Sequence, residues 1–427
     1  MDIIHIVNGL QKILPRVLEA TVAESLARFP VVVLTGARQT GKSTLAMSSA
    51  IGRDRLYLTL DDFDVFERAV ADPAALIQAA PRLTLDEVQR APEVLRAVKR
   101  AVDVARRPGR FLLTGSADLL SLRRVSESLA GRAVYLDLWP MTLSERRGRG
   151  GAGTWSVLLE ADGPADALRG LPGGRVPKTD WRAAVAAGGY PPAAFARDAA
   201  ERSRWFDGYL RAFLEKDLRD LAAVAALADV RRLMRLAALR LGGLLNQSEL
   251  ARDAALSQPT AHRYLNLLDT AFQVVRLPAY ARSRSARMVK SPKLYWGDTG
   301  LAAHLAGLAS GDGRDEGRLL GPLLENLVLL DLLAWRETTS PRPEVYHWRT
   351  AAGAEVDFVI EAGGRLLPVE VKTGAHPRPR DAEGLERFLA EHGRDGRFGV
   401  LLHGGDQAFP LSQRVVAVPL ERMLGAG

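Results

Sequence analysis

Five short apolar runs in the first third of the chain alternate with stretches whose apolar residues recur every three or four positions. The runs occupy residues 31–34, 56–58, 83–85, 111–113 and 134–138. Short apolar runs are typical of buried strands, whereas a spacing of three to four is typical of helices. Because strands and helices alternate, the pattern predicts a parallel, doubly wound α/β sheet over this region.

The pattern changes twice further along the chain. Residues 146–176 contain eight glycines in 31 positions, which indicates a junction or an insert, and residues 181–279 have helical spacing almost throughout. A helix at 321–336 and strands near 344–349, 354–360, 366–371 and 398–402 follow. We therefore predict an α/β domain at 1–145, a glycine-rich junction at 146–180, a helical region at 181–293 and a second α/β domain at 294–427.

A phosphate-binding loop follows the first predicted strand and precedes a helix predicted at residues 44–50. It fits the pattern G-x-x-x-x-G-K-[ST], and we expect all nine of its residues to bind nucleotide: Gly36, Ala37, Arg38, Gln39, Thr40, Gly41, Lys42, Ser43 and Thr44. In such loops backbone N–H groups cradle phosphate, the lysine reaches the β and γ oxygens, and the hydroxyl ligates Mg²⁺. The sequence therefore predicts that ATP and Mg²⁺ bind here.

Polar residues that end the third and fourth strands are expected to complete this site. Asp86 is the candidate metal-side carboxylate, and Glu87 is the candidate base or water-positioning group. Their strand is expected to be a core strand that neighbours the phosphate loop. Thr114 and Ser116 either hydrogen-bond the attacking water or close the fourth strand. Arg132 is a candidate sensor of the γ-phosphate, in its own chain or in a neighbouring subunit.

Residues 244–268 have the pattern of two helices joined by a tight turn. Asn246 or Ser248 is expected to cap the first helix, and Ser257 the second, with Pro259 in its first turn. Five polar residues then face outward and are candidates for contact with phosphates or base edges: Gln258, Thr260, His262, Arg263 and Asn266. The segment 272–277 resembles a wing strand, so a winged helix-turn-helix is predicted.

A basic strip follows, with five cationic residues and no acid over residues 282–293: Arg282, Arg284, Arg287, Lys290 and Lys293. Such a strip either follows a phosphate backbone or is a solvated face of the protein. Winged modules in ATPases also serve as lids or protein-docking units. The sequence leaves these alternatives open.

The C-terminal domain places acidic residues and a lysine on two predicted strands and one helix. Asp357 precedes the pair Glu370 and Lys372, which lie two residues apart and share a strand face, and Glu325 lies on the helix. This arrangement is similar to the PD-(D/E)xK nuclease superfamily, although Val356 replaces the usual proline. The resemblance implies that Glu325, Asp357 and Glu370 hold a second Mg²⁺ or Mn²⁺ and that Lys372 activates water. A metal site without cleavage is the alternative.

Composition narrows these choices only a little. The chain has 427 residues, a net charge of +8 and no cysteine, so disulfide, thiolate-zinc and cysteine-nucleophile chemistry are excluded. The charge permits a polyanionic partner without requiring one. No long uncharged apolar run is present, so we expect a soluble, cytoplasmic protein without a membrane partner.

Six segments together resemble a prokaryotic family of AAA-type ATPases that carry a C-terminal conserved domain of unknown function. They are residues 29–44, 85–89, 114–116, 129–132, 290–301 and 321–326. The resemblance implies ATP hydrolysis, with Asp86 and Glu87 as the metal-side and catalytic carboxylates, and a homo-oligomer that forms a ring.

Two functional hypotheses follow from the sequence. In the first, an Mg²⁺-dependent ATPase drives a winged helical region and a nuclease-like domain that bind or act on DNA. In the second, the protein is a nucleotide-dependent switch or scaffold whose C-terminal domain binds a protein partner and cleaves nothing.

Overall fold

The computed structural model describes residues 13–115, 129–151, 154–173, 178–218, 227–308 and 316–425. Ser116, one of the candidate site residues, lies outside these ranges. No helix within them is both long enough and apolar enough to cross a membrane.

The N-terminal domain contains a five-stranded parallel sheet, as the alternation of apolar runs predicts. Its strands are β1 (Val31–Thr35), β2 (Leu56–Thr59), β3 (Leu83–Asp86), β4 (Phe111–Thr114) and β5 (Ala133–Asp137). Their order in the sheet is β2-β3-β4-β1-β5. β4 lies between β3 and β1 and pairs with both. The α/β class is confirmed.

Short helices cover this sheet, and apolar clusters lie on both of its faces. They are α1 (Glu19–Arg28), α2 (Lys42–Ala46), α3 (Ser49–Gly52), α4 (Phe63–Ala71), α5 (Pro73–Leu76) and α6 (Glu93–Val104). The single helix predicted at residues 44–50 is wrong, since the chain leaves α2 at Met47 and begins α3 after Ser48.

A helical region follows the sheet. Its helices are α7 (Leu143–Arg146), α8 (Thr154–Glu160), α9 (Pro164–Gly170), α10 (Trp181–Ala187), α11 (Pro191–Ala194), α12 (Ala199–Ala212), α13 (Leu227–Leu239), α14 (Gln247–Asp253), α15 (Gln258–Thr270), α16 (Arg284–Val289) and α17 (Thr299–Leu305). A π-helical turn, Phe213–Asp217, extends α12. The antiparallel strands β6 (Val274–Leu277) and β7 (Lys293–Trp296) lie between α15 and α17. β7 therefore straddles the boundary predicted at residue 294.

Two helices and a turn occur where the sequence places them. The side chain of Asn246 caps α14, and that of Ser257 caps α15. The buried residues of α15 include Ala261, Tyr264 and Leu265, so the polar residues of this helix face away from the core. The assignment of this unit as a winged helix stays a prediction.

The C-terminal domain has a mixed six-stranded sheet with the order β12-β13-β11-β10-β9-β8. Its strands are β8 (Glu344–Arg349), β9 (Glu355–Ala362), β10 (Arg365–Lys372), β11 (Gly399–His403), β12 (Phe409–Pro410) and β13 (Val415–Pro419), and its helices are α18 (Glu316–Arg336), α19 (Glu383–His392) and α20 (Leu420–Leu424). β9 and β10 form the antiparallel hairpin that the sequence predicts. The nuclease-like assignment stays a prediction.

The helical region and one face of the C-terminal sheet share a single apolar core. Phe206 of α12, Leu329 of α18 and Val400 of β11 all belong to it. The glycine-rich stretch contributes α8 to the same core through Trp155 and α9 through Ala167. Trp155 Nε1 donates a hydrogen bond of 2.7 Å to Asp331 Oδ1 on α18. Helices α8 and α9 thus pack as part of the C-terminal half of the molecule.

Candidate functional site

The phosphate loop joins β1 to α2 through two glycines with positive φ. Gly36 has φ +145°, and a Cβ at this position would lie 2.3 Å from the carbonyl oxygen of Leu138. Gly41 has φ +95° and directly precedes α2. Only glycine accepts such torsions and such a close approach at little cost. The loop conformation therefore depends on these two positions.

Lys42 is buried, and its ammonium group lies against the loop backbone. Nζ donates hydrogen bonds to the carbonyl oxygens of Gly36, at 3.1 Å, and Ala37, at 2.8 Å. Thr40 donates from Oγ1 to the same Ala37 carbonyl at 3.0 Å. These contacts keep the cation at the centre of the loop, where the sequence prediction requires it for phosphate.

Asp86, at the carboxyl end of β3, collects three hydroxyl groups. Its Oδ2 accepts hydrogen bonds from Ser43 Oγ at 2.7 Å and Tyr57 OH at 2.5 Å, and its Oδ1 accepts one from Thr114 Oγ1. Although β3 is not adjacent to β1, the parallel strands end at the same edge of the sheet, and this brings the predicted residues together. Burial and the Asp86 carboxylate raise the pKa of Tyr57 above its ordinary value.

Ser43 and Asp86 fit the magnesium ion that the phosphate loop implies. A hydroxyl and a carboxylate are hard oxygen donors, which Mg²⁺ prefers, and P-loop NTPases hold the ion with this pair of residue types. When bound, the ion neutralises charge on the β and γ phosphates. Tyr57 was missed from the sequence, where it reads as an ordinary strand residue.

Glu87 directly follows Asp86 and has a left-handed backbone, with φ 57° and ψ 43°. This conformation is uncommon for a non-glycine residue, and such strain clusters at functional sites. Gln89 donates a hydrogen bond from Nε2 to Glu87 Oε2. The glutamate is only partly buried, so its carboxylate is accessible for the predicted role in hydrolysis.

Arg132 lies at the opposite edge of the sheet. It precedes the amino end of β5, whereas the phosphate loop follows the carboxyl end of β1, which runs parallel to β5. Five residues of strand separate these edges by roughly 16 Å. Arg132 forms an ion pair of 2.5 Å with Asp103. A role in its own nucleotide site is therefore wrong, and a role in a neighbouring subunit stays a prediction.

An arginine that the sequence analysis missed donates a hydrogen bond to the backbone of the phosphate loop. Arg16 is buried and donates hydrogen bonds of 2.7 Å to the carbonyl oxygens of Thr40 and Trp139. Its Nε lies 3.1 Å from Glu145 Oε1, which also accepts a hydrogen bond of 2.6 Å from the backbone N–H of Val17. No local motif distinguishes Arg16, so the sequence carried no signal for it.

The polar residues of α15 are largely exposed. Gln258, His262 and Arg263 are open to solvent, while Thr260 and Asn266 are half-buried. His262 Nδ1 lies 2.9 Å from Gln247 Oε1, and its Nε2 lies 3.0 Å from Asn266 Nδ2.

The basic strip does not form one open surface. Arg287 lies between the rings of Tyr280 and Tyr346 and forms an ion pair of 2.5 Å with Glu361. Lys293 is buried in the protein. The prediction that these two cations follow a phosphate backbone is therefore wrong, because internal carboxylates neutralise them. Arg282 and Lys290 are exposed, and the side chain of Arg284 lies outside the described part of the structure.

The C-terminal acidic residues do converge, but around a lysine. Lys293 Nζ lies 3.2 Å from Asp357 Oδ1 and 3.8 Å from Glu325 Oε2, and it forms an ion pair with Glu355. Lys372 Nζ lies 2.7 Å from Glu370 Oε1.

No group of three or more metal-ligating side chains among the described residues has an arrangement that could hold an ion. In this arrangement the acidic residues do not fit the predicted metal, and the predicted roles of Glu325, Asp357 and Glu370 as its ligands stay a prediction. The ammonium group of Lys293 lies where an ion would be bound.

Burial shapes the electrostatics of this cluster. Burial and then the nearby Asp357 carboxylate raise the pKa values of Glu325 and Glu370 to about 8. Burial alone would lower the pKa of Lys293, but the carboxylates of Asp357, Glu325 and Glu355 outweigh it and raise this pKa above its ordinary value. Lys293 is therefore a permanent cation at neutral pH.

Comparison with known proteins finds two relatives that align with nearly the whole chain. Two mycobacterial proteins, the uncharacterized proteins Mb2031c of Mycobacterium bovis and Rv2008c of Mycobacterium tuberculosis, are each 33% identical over 414 residues, which cover 96% of this chain and 84% of each relative. The chain belongs to the family of these two proteins.

Three family models match successive parts of this chain. An AAA domain matches residues 28–146, and two domains of unknown function, DUF8612 and DUF4143, match residues 178–312 and 320–423. A solved structure, the Walker-type ATPase PABY2304 of Pyrococcus abyssi, aligns with 67% of this chain and 94% of its own at 15% identity and a TM-score of 0.39. The AAA match and the phosphate-loop geometry identify the N-terminal domain as an ATP-binding and ATP-hydrolysing P-loop ATPase domain.

Proposed function

We propose that the protein is an ATP-driven molecular switch, in which nucleotide at the phosphate loop changes how the ATPase domain holds the helical and C-terminal regions. Arg16 carries this proposal. Its side chain contacts the loop at Thr40 and the exit from the sheet at Trp139 and Glu145. If the loop moves when it binds phosphate, Arg16 therefore transmits this movement to residues 139–145, which lead into the helical region.

Two further contacts support this coupling on the far side of α7. Arg147 forms an ion pair with Glu421 on α20, and Arg149 NH1 donates 2.7 Å to the carbonyl oxygen of Gly425. The residues next to α7 thus bind the C-terminal helix. Glu145 itself caps α7, since it accepts a hydrogen bond of 2.8 Å from the backbone N–H of Thr142. One short helix connects the nucleotide site with both later regions.

The strand beside the phosphate loop supports a second route. The backbone N–H of Asp137, at the end of β5, donates 3.2 Å to Glu337 Oε2 just beyond α18. Arg342 forms an ion pair of 2.6 Å with Glu337, and its guanidinium group donates a hydrogen bond to the carbonyl oxygen of Tyr135. Asp137 in turn accepts a hydrogen bond from Thr35, the last residue of β1. This second route therefore begins at Thr35, one residue before the phosphate loop.

In this proposal the nucleotide site acts as a standard P-loop ATPase. Lys42 leaves the Gly36 and Ala37 carbonyls for the β and γ phosphates, Ser43 and Asp86 hold Mg²⁺, and Glu87 orients the attacking water. Thr114 keeps Asp86 in place. A homo-oligomer, in which Arg132 reaches the site of a neighbouring subunit, is part of the proposal.

DNA binding through α15 is the second candidate function. The exposure of Gln258, His262 and Arg263 on one capped helix favours it, since such a helix can present these groups to a groove. With Arg287 and Lys293 neutralised internally, the basic strip contributes Arg282 and Lys290 as exposed cations among its described side chains. Metal-dependent cleavage is not part of either proposal, because the carboxylates around Lys293 are not arranged to hold an ion.

ATPase rates with and without duplex DNA separate the two functions. The switch hydrolyses ATP at the same rate in both conditions, whereas a DNA-acting ATPase is stimulated. If DNA binds, Arg263→Ala should weaken binding and flatten its salt dependence by one phosphate contact. The matched control is Arg252→Ala, an exposed arginine on α14.

The switch itself is tested by hydrogen exchange with and without a non-hydrolysable ATP analogue. We expect altered protection in α7 and α20 as well as in the phosphate loop, and Arg16→Met should confine the change to the loop. Protection changes limited to the ATPase domain of the wild type would refute the proposal.

Nicking of supercoiled plasmid in Mg²⁺ or Mn²⁺ by the wild type, but not by Lys372→Ala, would restore the nuclease function.

A further inference from the structure

Four carboxylates from three elements of the C-terminal domain lie close to Lys293 of β7. They are Glu325 on α18, Glu355 and Asp357 on β9, and Glu370 on β10, and we name them the acidic cluster. Asp357 is fixed within it, because its Oδ2 accepts a hydrogen bond of 3.0 Å from the backbone N–H of Val371. One oxygen of Glu370, Oε2, is buried and has no hydrogen-bond partner among the described residues.

Two cations contact this cluster: Lys372 pairs with Glu370 from within the C-terminal sheet, whereas the second comes from outside that sheet. Lys293 is the first residue of β7, which pairs with β6 of the helical region and not with β9 or β10. Its side chain is 2% exposed. Burying an ammonium group costs several kcal/mol unless carboxylates surround it closely, and here three of them do.

The strand that carries Lys293 is bound firmly to the same region. Asn326 accepts a hydrogen bond from the backbone N–H of Trp296 and donates one to its carbonyl oxygen, both at 2.8 Å. Tyr295 OH donates 3.0 Å to Glu325 Oε2. The position of the ammonium group is therefore imposed by the backbone of β7.

A divalent ion and this ammonium group exclude each other. Mg²⁺ or Mn²⁺ would need the same oxygens of Asp357, Glu325 and Glu355 as ligands, at a little over 2 Å. The Lys293 nitrogen already lies within hydrogen-bond distance of Asp357 and Glu355, so an ion placed there would meet a positive charge at close range.

We propose that Lys293 is the resident cation of the acidic cluster in place of a divalent metal, and that the carboxylates move together around a Mn²⁺ or Mg²⁺ ion when this side chain is removed. The unpartnered oxygen of Glu370 is then available as a further ligand. In the native protein, Lys293 links the β6–β7 strand pair to the C-terminal sheet through its ion pairs. This role does not depend on the switch proposed above.

Mn²⁺ titration of the full-length protein without nucleotide, followed through the electron paramagnetic resonance of free Mn²⁺, tests this assignment. Wild type and Asp357→Asn should bind the same amount of Mn²⁺. Lys293→Met should bind one more ion per chain, and the double variant Lys293→Met/Asp357→Asn should lose it. Lys290→Met, which removes an exposed lysine three residues earlier, should match the wild type.

Two results would overturn the proposal. If the wild type binds one more Mn²⁺ than Asp357→Asn, the metal displaces Lys293 and the native cluster is a metal site. If folded Lys293→Met gains no ion, the lysine is not what keeps metal out. Should Lys293→Met fail to fold, Lys293→Met/Glu355→Gln lowers the uncompensated charge and takes its place in the titration.

Discussion

Ser43 and Asp86 lie 2.7 Å apart, the serine hydroxyl donating to the aspartate carboxylate. The serine belongs to the phosphate-loop motif and lies in the first turn of α2, and the aspartate ends β3, two strands away from β1 in the sheet. Their contact brings together the two residues that we propose hold Mg²⁺. The pair is therefore pre-organised, and little reorganisation is needed when the ion and phosphates bind.

Asp86→Asn should separate metal use from nucleotide binding. The amide keeps the size of the carboxylate but loses its charge, so the affinity for Mg²⁺ falls and hydrolysis should slow by about 100-fold, or about 3 kcal/mol. The measurement is the ATPase rate as a function of Mg²⁺ concentration, with metal-free ATP affinity as the control. A wild-type Mg²⁺ dependence would contradict the metal role of Asp86.

Glu87→Gln should bind ATP with nearly native affinity and hydrolyse it at least about 100-fold more slowly, because positioned general bases contribute roughly 10² to 10⁴ in rate. Single-turnover hydrolysis and equilibrium ATP binding measure the two effects. Glu67→Gln, an exposed glutamate on α4, is the matched control and should behave as wild type. Native turnover by the Glu87 variant would remove the residue from the mechanism.

Arg16→Met should weaken both the fold and the nucleotide site. It leaves the Glu145 carboxylate buried without its cation, which costs about 3 to 5 kcal/mol, and it removes the donor to the Thr40 carbonyl. We expect a lower unfolding temperature and weaker ATP binding. Arg16→Met/Glu145→Gln should recover part of the stability but none of the ATP affinity. Additive losses in the double variant would show that the two residues are not coupled.

The buried imidazole of His347 should make a contribution to stability that is lost in acid. Burial lowers the pKa of this imidazole to about 4, from 6.5 in the unfolded chain. At this group the unfolded state therefore binds more protons between these values, so the contribution of His347 is complete above about pH 6.5 and is lost, by up to about 3 kcal/mol, as the pH falls to about 4.

His347→Gln isolates this contribution. The variant removes the titrating group, while its amide can still donate to the Ser291 carbonyl that His347 Nε2 contacts at 3.1 Å. Between about pH 6.5 and about pH 4.5, acidification should lower the unfolding temperature of the wild type relative to that of the variant. His376→Gln, an exposed histidine in the same domain, is the control and should keep the wild-type slope.

Much of the nucleotide site was legible in the sequence because its signals are local. The glycines, Lys42 and Ser43 lie in one loop, and a strand that ends in Asp86 and Glu87 is recognisable from its own residues. The α/β sheet follows from five apolar runs for the same reason. The sequence did not indicate that β4 lies between β1 and β3, since strand order depends on how the helices cross the sheet.

The remaining features depend on contacts between residues that are far apart in the chain. Lys293 reads as one cation in a basic strip, and only the pairing of β7 with β6 carries it into the acidic cluster, where Asp357 lies 64 residues away in sequence. Arg16 has no motif, and its contact with Glu145 joins the start of the ATPase domain to the segment that leaves it. Local composition determined the chemistry of the phosphate loop, whereas tertiary packing decided which charges are buried and therefore which ones need a partner.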